Sequence, residues 1–150
     1  MKKVLLIFNI IICLFCMPLT SFANNTDEEQ AKQEYEDAIS ENWKEMLEVS
    51  IQLDILSAEN KSYHLNWMAL EETSEESKKI VDRIQKLEAE QEEAEESMEP
   101  YTNAKKACDE KLNADGANAA LENIIRIEKD LLKDQEALNA LWKTVTELQK

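Results

Sequence analysis

Punctuation is scarce in this chain. Gly116 is the single glycine, and beyond residue 23 Pro100 is the single proline. Ala, Leu, Glu, Lys and Gln dominate instead, a helix-forming vocabulary, and no stretch reads as a strand. Histidine is equally rare. His64 stands alone, and no E-x-x-H or H-E-x-x-H spacing surrounds it, which removes the di-iron bundle and the zinc protease from consideration. A His64–Cys108 dyad would need one residue of each kind from distant positions, a very weak signal beside the plain reading of a helix residue at the edge of a seam.

Cysteine is nearly absent from the functional chain as well. Cys13 and Cys16 lie in an apolar run from Val4 to Met17, preceded by Lys2 and Lys3 and followed by Ser21-Phe22-Ala23. That order of charge, grease and small residues reads as a secretion signal, with cleavage expected between Ala23 and Asn24. The run falls short of the roughly 20 residues a spanning helix needs, although an uncleaved anchor is the alternative. Lipoprotein processing at Cys16 is disfavoured by the bulky Phe15 before it. The C-x-x-C then leaves with the leader, and Cys108 remains as a buried thiol or an intermolecular bridge, with no partner for an internal disulfide.

Cationic charge is the third shortage. Without Lys2 and Lys3 the exported chain carries 15 basic against 32 acidic residues, a net charge of −17. Such a surface repels nucleic acid and anionic membrane. It attracts basic protein patches, cationic peptides or divalent ions, or serves solubility alone. Seven carboxylates crowd Glu88 to Glu99, among them Glu92, Glu93 and Glu96. A straight helix does not converge oxygens on one ion, so a solvated face is the simpler reading. Asn113-Ala114-Asp115-Gly116 lacks the later ligands of an EF-hand.

What remains is a set of long amphipathic helices. Residues 24–150 suffice for one domain. Thr26-Asp27-Glu28-Glu29 and Thr73-Ser74-Glu75-Glu76 have the form of helix starts with acids in the first turn. The first helix, about 27–72, places Ile39, Met46, Leu53, Asn60 and Trp67 in one seven-residue register and Tyr35, Asn42, Val49, Leu56, Tyr63 and Leu70 in the other. A second, about 75–113, continues its stripe from Ile80, Ile84 and Leu87 through Ala94 and Tyr101 to Cys108 and Leu112, with a kink near Pro100 or, alternatively, a fresh helix there. Gly116 is expected to end it in the left-handed conformation. A third, about 117–147, is the most apolar, with Ile124, Leu131, Leu138 and Val145 alternating with Ile127 and Leu141.

These features imply an all-α fold, an elongated antiparallel three-helix bundle with coiled-coil-like packing. Helix one would be about 68 Å long and helix three about 50 Å. The difference leaves Asp27 to Glu41 unsupported, free to fray or meet a partner, which makes Tyr35, Ile39 and Trp43 candidate partner-surface residues alongside Glu92, Glu93 and Glu96. Asn42, Asn60, Gln91, Lys105 and Asp134 interrupt the seams and fix register or face water; a Lys105–Asp134 pair is conceivable but one to two turns out of line. Trp67 and Trp142 plug the ends of the bundle or anchor an interface. No cofactor or metal is implied. The expected function is that of a secreted or periplasmic, non-enzymatic protein that binds another protein or itself, the alternative being capture of cationic peptides or divalent cations by the Glu88 to Glu99 stretch.

Overall fold

The computed structural model describes residues 26–69 and 73–148. The leader expected from the sequence and its expected cleavage point at Ala23 and Asn24 lie outside them. Among the described residues there is no strand, and four helices form three rods: α1 (Thr26–Met68), α2 (Glu75–Ser97), α3 (Glu99–Asp109) and α4 (Ala114–Glu147).

The second rod is interrupted at Met98, which keeps helical dihedrals (φ −78°, ψ −21°) between α2 and α3. Pro100 has no N–H to give the carbonyl four residues back. The turn before it tightens, with the Met98 N–H bonding to the Glu95 carbonyl at 3.1 Å. At the start of this rod Ser74 is the cap, its side chain accepting from the Ser77 N–H.

The next turn departs from expectation. Gly116 does not take a left-handed conformation. Leu112 does, at φ 51°, and Asn113 caps α4 by accepting the Gly116 N–H at 3.2 Å. Gly116 is needed for space: a Cβ there would lie 2.6 Å from the Cys108 sulfur and 2.8 Å from Asn113 Nδ2. The reversal is therefore centred on Leu112, and α4 begins at Ala114, three residues earlier than the glycine suggests.

Cross-helix hydrogen bonds give the directions. Asn118 donates to the Ala38 carbonyl, Ser50 to Glu128, and Asn139 to the Leu56 carbonyl. Partners on α1 and α4 rise together, so these rods are parallel. Gln91 of α2 sits beside Leu131 and Gln135, and Tyr35 of α1 beside Asp109 of α3, so the middle rod runs back between them. The fourth helix packs against each of the other three, whereas α1 meets α2 and α3 through side chains only.

The constant offset between α1 and α4 shows how the surplus length of α1 is used. Residues near Tyr35 already lie level with the start of α4, and Tyr35 and Ile39 are buried at 7% and 9% exposure. The unsupported part of α1 thus shrinks to the exposed residues before Tyr35, rather than reaching Glu41.

Two apolar clusters fill the bundle. One joins Tyr35, Ile39 and Met46 to Ala117, Leu121, Ile124 and Ile125, with Trp43, Met98, Tyr101 and Cys108 against its edge. The other joins Val81 and Ile84 to Leu138, Trp142 and Val145, with Tyr63 and Trp67 packed on it. Between them lies a polar waist, where Gln91 approaches Gln135, Gln135 donates to Asn139 at 3.2 Å, and Asn139 donates to the Leu56 carbonyl and to Glu59. Buried amides must find partners, and here they do so across all three rods.

Candidate interaction surface

The residues proposed from sequence as a partner surface divide into two groups. Tyr35, Ile39 and Trp43 are spent inside the molecule. The Tyr35 hydroxyl donates to Asp109, Lys105 Nζ reaches Asp109 at 2.8 and 3.0 Å, and the same ammonium stands 4.6 Å from the Trp43 ring centre. Burial, and then donation to Asp109, raise the Tyr35 pKa, so the phenol stays protonated as a donor. Lys105 therefore pairs one turn along its own helix and not with Asp134. The reason is the turn: centring it on Leu112 rather than Gly116 sets Lys105 beside the beginning of α4, several turns from Asp134.

The second group, Glu92, Glu93 and Glu96, is exposed on α2. Within the same acidic run Glu88 is partly buried, and loss of hydration raises its pKa despite the nearby His64. Cys108 is a free, partly buried thiol packed on the first cluster and held against Gly116.

Trp67 and Trp142 come together with His64, at ring-centre separations of 6.0 Å between the indoles and 5.4 Å from His64 to Trp142. Trp142 is 1% exposed. Both indole Nε1 atoms are buried without an acceptor, so this end is held by apolar area and ring packing rather than by polar geometry.

One half-buried carboxylate lies between α1 and α4. Glu128 accepts from the Ser50 hydroxyl at 2.7 Å through one oxygen, and its other oxygen is buried without a partner. Desolvation pushes its pKa up to about 7, with Asp54 adding in the same direction and Ser50 opposing. Nearby, a depression of about 400 Å³ between the same helices is open, and two of the three cations that line it are ion-paired, Lys129 with Glu45 and Lys133 with Asp130, while Arg126 donates to Asn123. Among the described residues no three His, Cys, Asp or Glu side chains gather as a metal site, and no helix is long and apolar enough to cross a membrane.

A feature absent from the sequence reading is the outer face of α1. Ile51, Ile55 and Leu65 are 58%, 63% and 66% exposed, and Ala58 and Ser62 between them are exposed too. Their spacing alternates four and three residues, the same period as the buried seam but on the opposite side of the helix. The sign was available: a second stripe shows once apolar residues are scored on every face of a helix and not only on the richest one. Scattered exposed apolar residues are ordinary, whereas Ile51, Ile55 and Leu65 lie in one row along the helix.

Comparison of the chain with protein-family models, with curated proteins and with solved structures finds no match.

Proposed function

We propose that this protein is exported, its leader cleaved between Ala23 and Asn24, and that it acts outside the cytosol as a non-enzymatic interaction or assembly protein whose rods pack through coiled-coil seams. The observation that carries the reading is the exposed stripe Ile51, Ile55, Ala58, Ser62 and Leu65 on a helix whose other face is already committed to the bundle. A helix with apolar residues on two faces has more to bury than one bundle can cover. The depression between α1 and α4 supports the same view, since it is open and lined in part by ion-paired side chains, whereas catalytic sites are enclosed and hold convergent reactive groups.

A photo-crosslinking residue placed at Ile55 in expressing cells tests the reading. It captures a protein from the exported fraction, while the same probe at Glu93 does not. No adduct at position 55, or a protein retained in the cytosol, contradicts it.

The second reading rests on the exposure of Glu92, Glu93 and Glu96 along one helix. These acids would hold a cationic peptide by charge alone. Calorimetry with a polylysine peptide and with calcium separates the two: binding that vanishes equally for every polycation at moderate salt is counterion attraction and not recognition.

A further inference from the structure

We propose that the partner of the outer α1 face is a second copy of this chain, bound antiparallel with Ile55 opposite Ala58 of the second copy. The inference rests on the interaction reading above and names its occupant. Three observations select it.

The first is local charge. From Ser50 to Ala69 the helix carries Asp54 and Glu59 against Lys61, a net −1 in twenty residues of a strongly acidic protein. Two copies can approach here without stacking carboxylates, which the Glu88 to Glu99 face would not allow.

Shape is the second. On the outer stripe Ile51, Ala58 and Leu65 occupy one heptad position and Ile55 and Ser62 the other. In the antiparallel register named above, Ile55 faces Ala58 and Ile51 faces Ser62 of the second copy, and each layer recurs by symmetry. Each of these four layers sets a large residue against a small one, so the two helices come close there, while the same register places Leu65 opposite Glu48 of the second copy at either end.

The third is the flanks. The positions bordering the stripe are Asp54 and Lys61 on one side and Gln52 and Glu59 on the other. In this register Asp54 meets Lys61 of the second copy twice by symmetry, and Gln52 meets Glu59. A parallel pair would set Asp54 against Glu59 of the second copy. An antiparallel pair shifted by one heptad, with Ile55 opposite Leu65, would set Lys61 against Lys61 and Glu59 against Glu59. Flanking charges choose orientation and register in coiled coils, and of these three arrangements only the first is attractive. Four central layers make a small interface, so the dimer exchanges rapidly.

The test mixes isotopically light and heavy protein, joins it with a zero-length carbodiimide reagent, and follows mass against concentration by sedimentation. The expected product is a mixed-isotope link between Lys61 and Asp54, with mass rising toward that of a dimer. Ile55→Glu abolishes association without changing helicity, because the side chain is exposed. Lys61→Glu weakens association roughly tenfold or more, since both symmetric pairs turn repulsive, and Asp54→Lys with Lys61→Asp restores it. A dimer linked through other residues, or one indifferent to Ile55→Glu, overturns the inference. A strict monomer that still captures a different protein at residue 55 in cells overturns it too while sparing the interaction reading; a monomer that captures nothing there overturns both.

Discussion

The two ends of the bundle are held by different means. Around Tyr35 and Leu121 the rods are tied by directional contacts: Tyr35 and Lys105 both on Asp109, Lys105 against Trp43, Asn118 on the Ala38 carbonyl. Around Trp142 the glue is Val81, Ile84, Leu138, Val145 and two indoles whose N–H groups find no acceptor. Apolar area stabilises without specifying how two helices slide past one another. Hydrogen-bonded groups fix the slide at some expense of stability. In this molecule register is set at the first end and at the amide waist, and burial at the second end supplies strength.

The largest effect expected from that contrast is at Trp142. Trp142→Ala lowers unfolding free energy by about 3–5 kcal/mol, measured by denaturant titration. Hydrogen exchange in the variant rises in residues 63–67, 80–87 and 138–145 before it rises near Leu121. Uniform acceleration along all three rods would show that the two ends are one cooperative unit.

Next is the tight packing at the first end. Gly116→Ala drives a methyl into Cys108 and the Asn113 cap, a loss of about 1–3 kcal/mol. Cys108→Ala in the same chain recovers part of it, because the sulfur is the nearest obstacle.

Glu128 gives the comparison a pH axis. Its folded pKa of about 7 lies above its ordinary 4.5, so between these values the folded state holds a proton that the unfolded state has released. Stability from this group is therefore fullest below about pH 4.5 and declines as pH rises to about 7. Glu128→Gln removes that decline and raises stability at pH 8 on the order of 1 kcal/mol. A variant whose pH profile matches the parent's would place the titration elsewhere.

The smallest expected effect is at Leu112. A left-handed backbone strains a residue with a β-carbon, so Leu112→Gly raises thermal stability slightly, less than about 1 kcal/mol after the added freedom of the unfolded chain is counted. A fall would mean that its half-exposed side chain contributes more by packing than its backbone loses.

Much of this architecture was legible in the residues. Seven-residue seams gave the rods, Ser74 marked the second start, and Pro100 marked the interruption at Met98. The turn was not, because glycine is the usual left-handed residue and Gly116 is needed instead for contact with Cys108. That displacement of a few residues carried Lys105 away from Asp134 and onto Asp109. The fate of Tyr35 and Ile39 also escaped the sequence: helix lengths alone do not say which end of a long rod overhangs, and the offset between α1 and α4 is set by side chains such as Asn118 and Asn139 reaching backbone carbonyls. The outer stripe of Ile51, Ile55 and Leu65 was visible but was hidden by the richer stripe behind it.

The central claim is that α1 spends one face on its own bundle and keeps the other for a partner. Thiol labelling of Ile55→Cys, in a chain where Cys108 has been replaced by alanine, tests it most directly. In dilute purified protein position 55 reacts freely, and in expressing cells it is protected, while Glu93→Cys reacts alike in both. Equal reactivity of position 55 in the two settings would contradict the account.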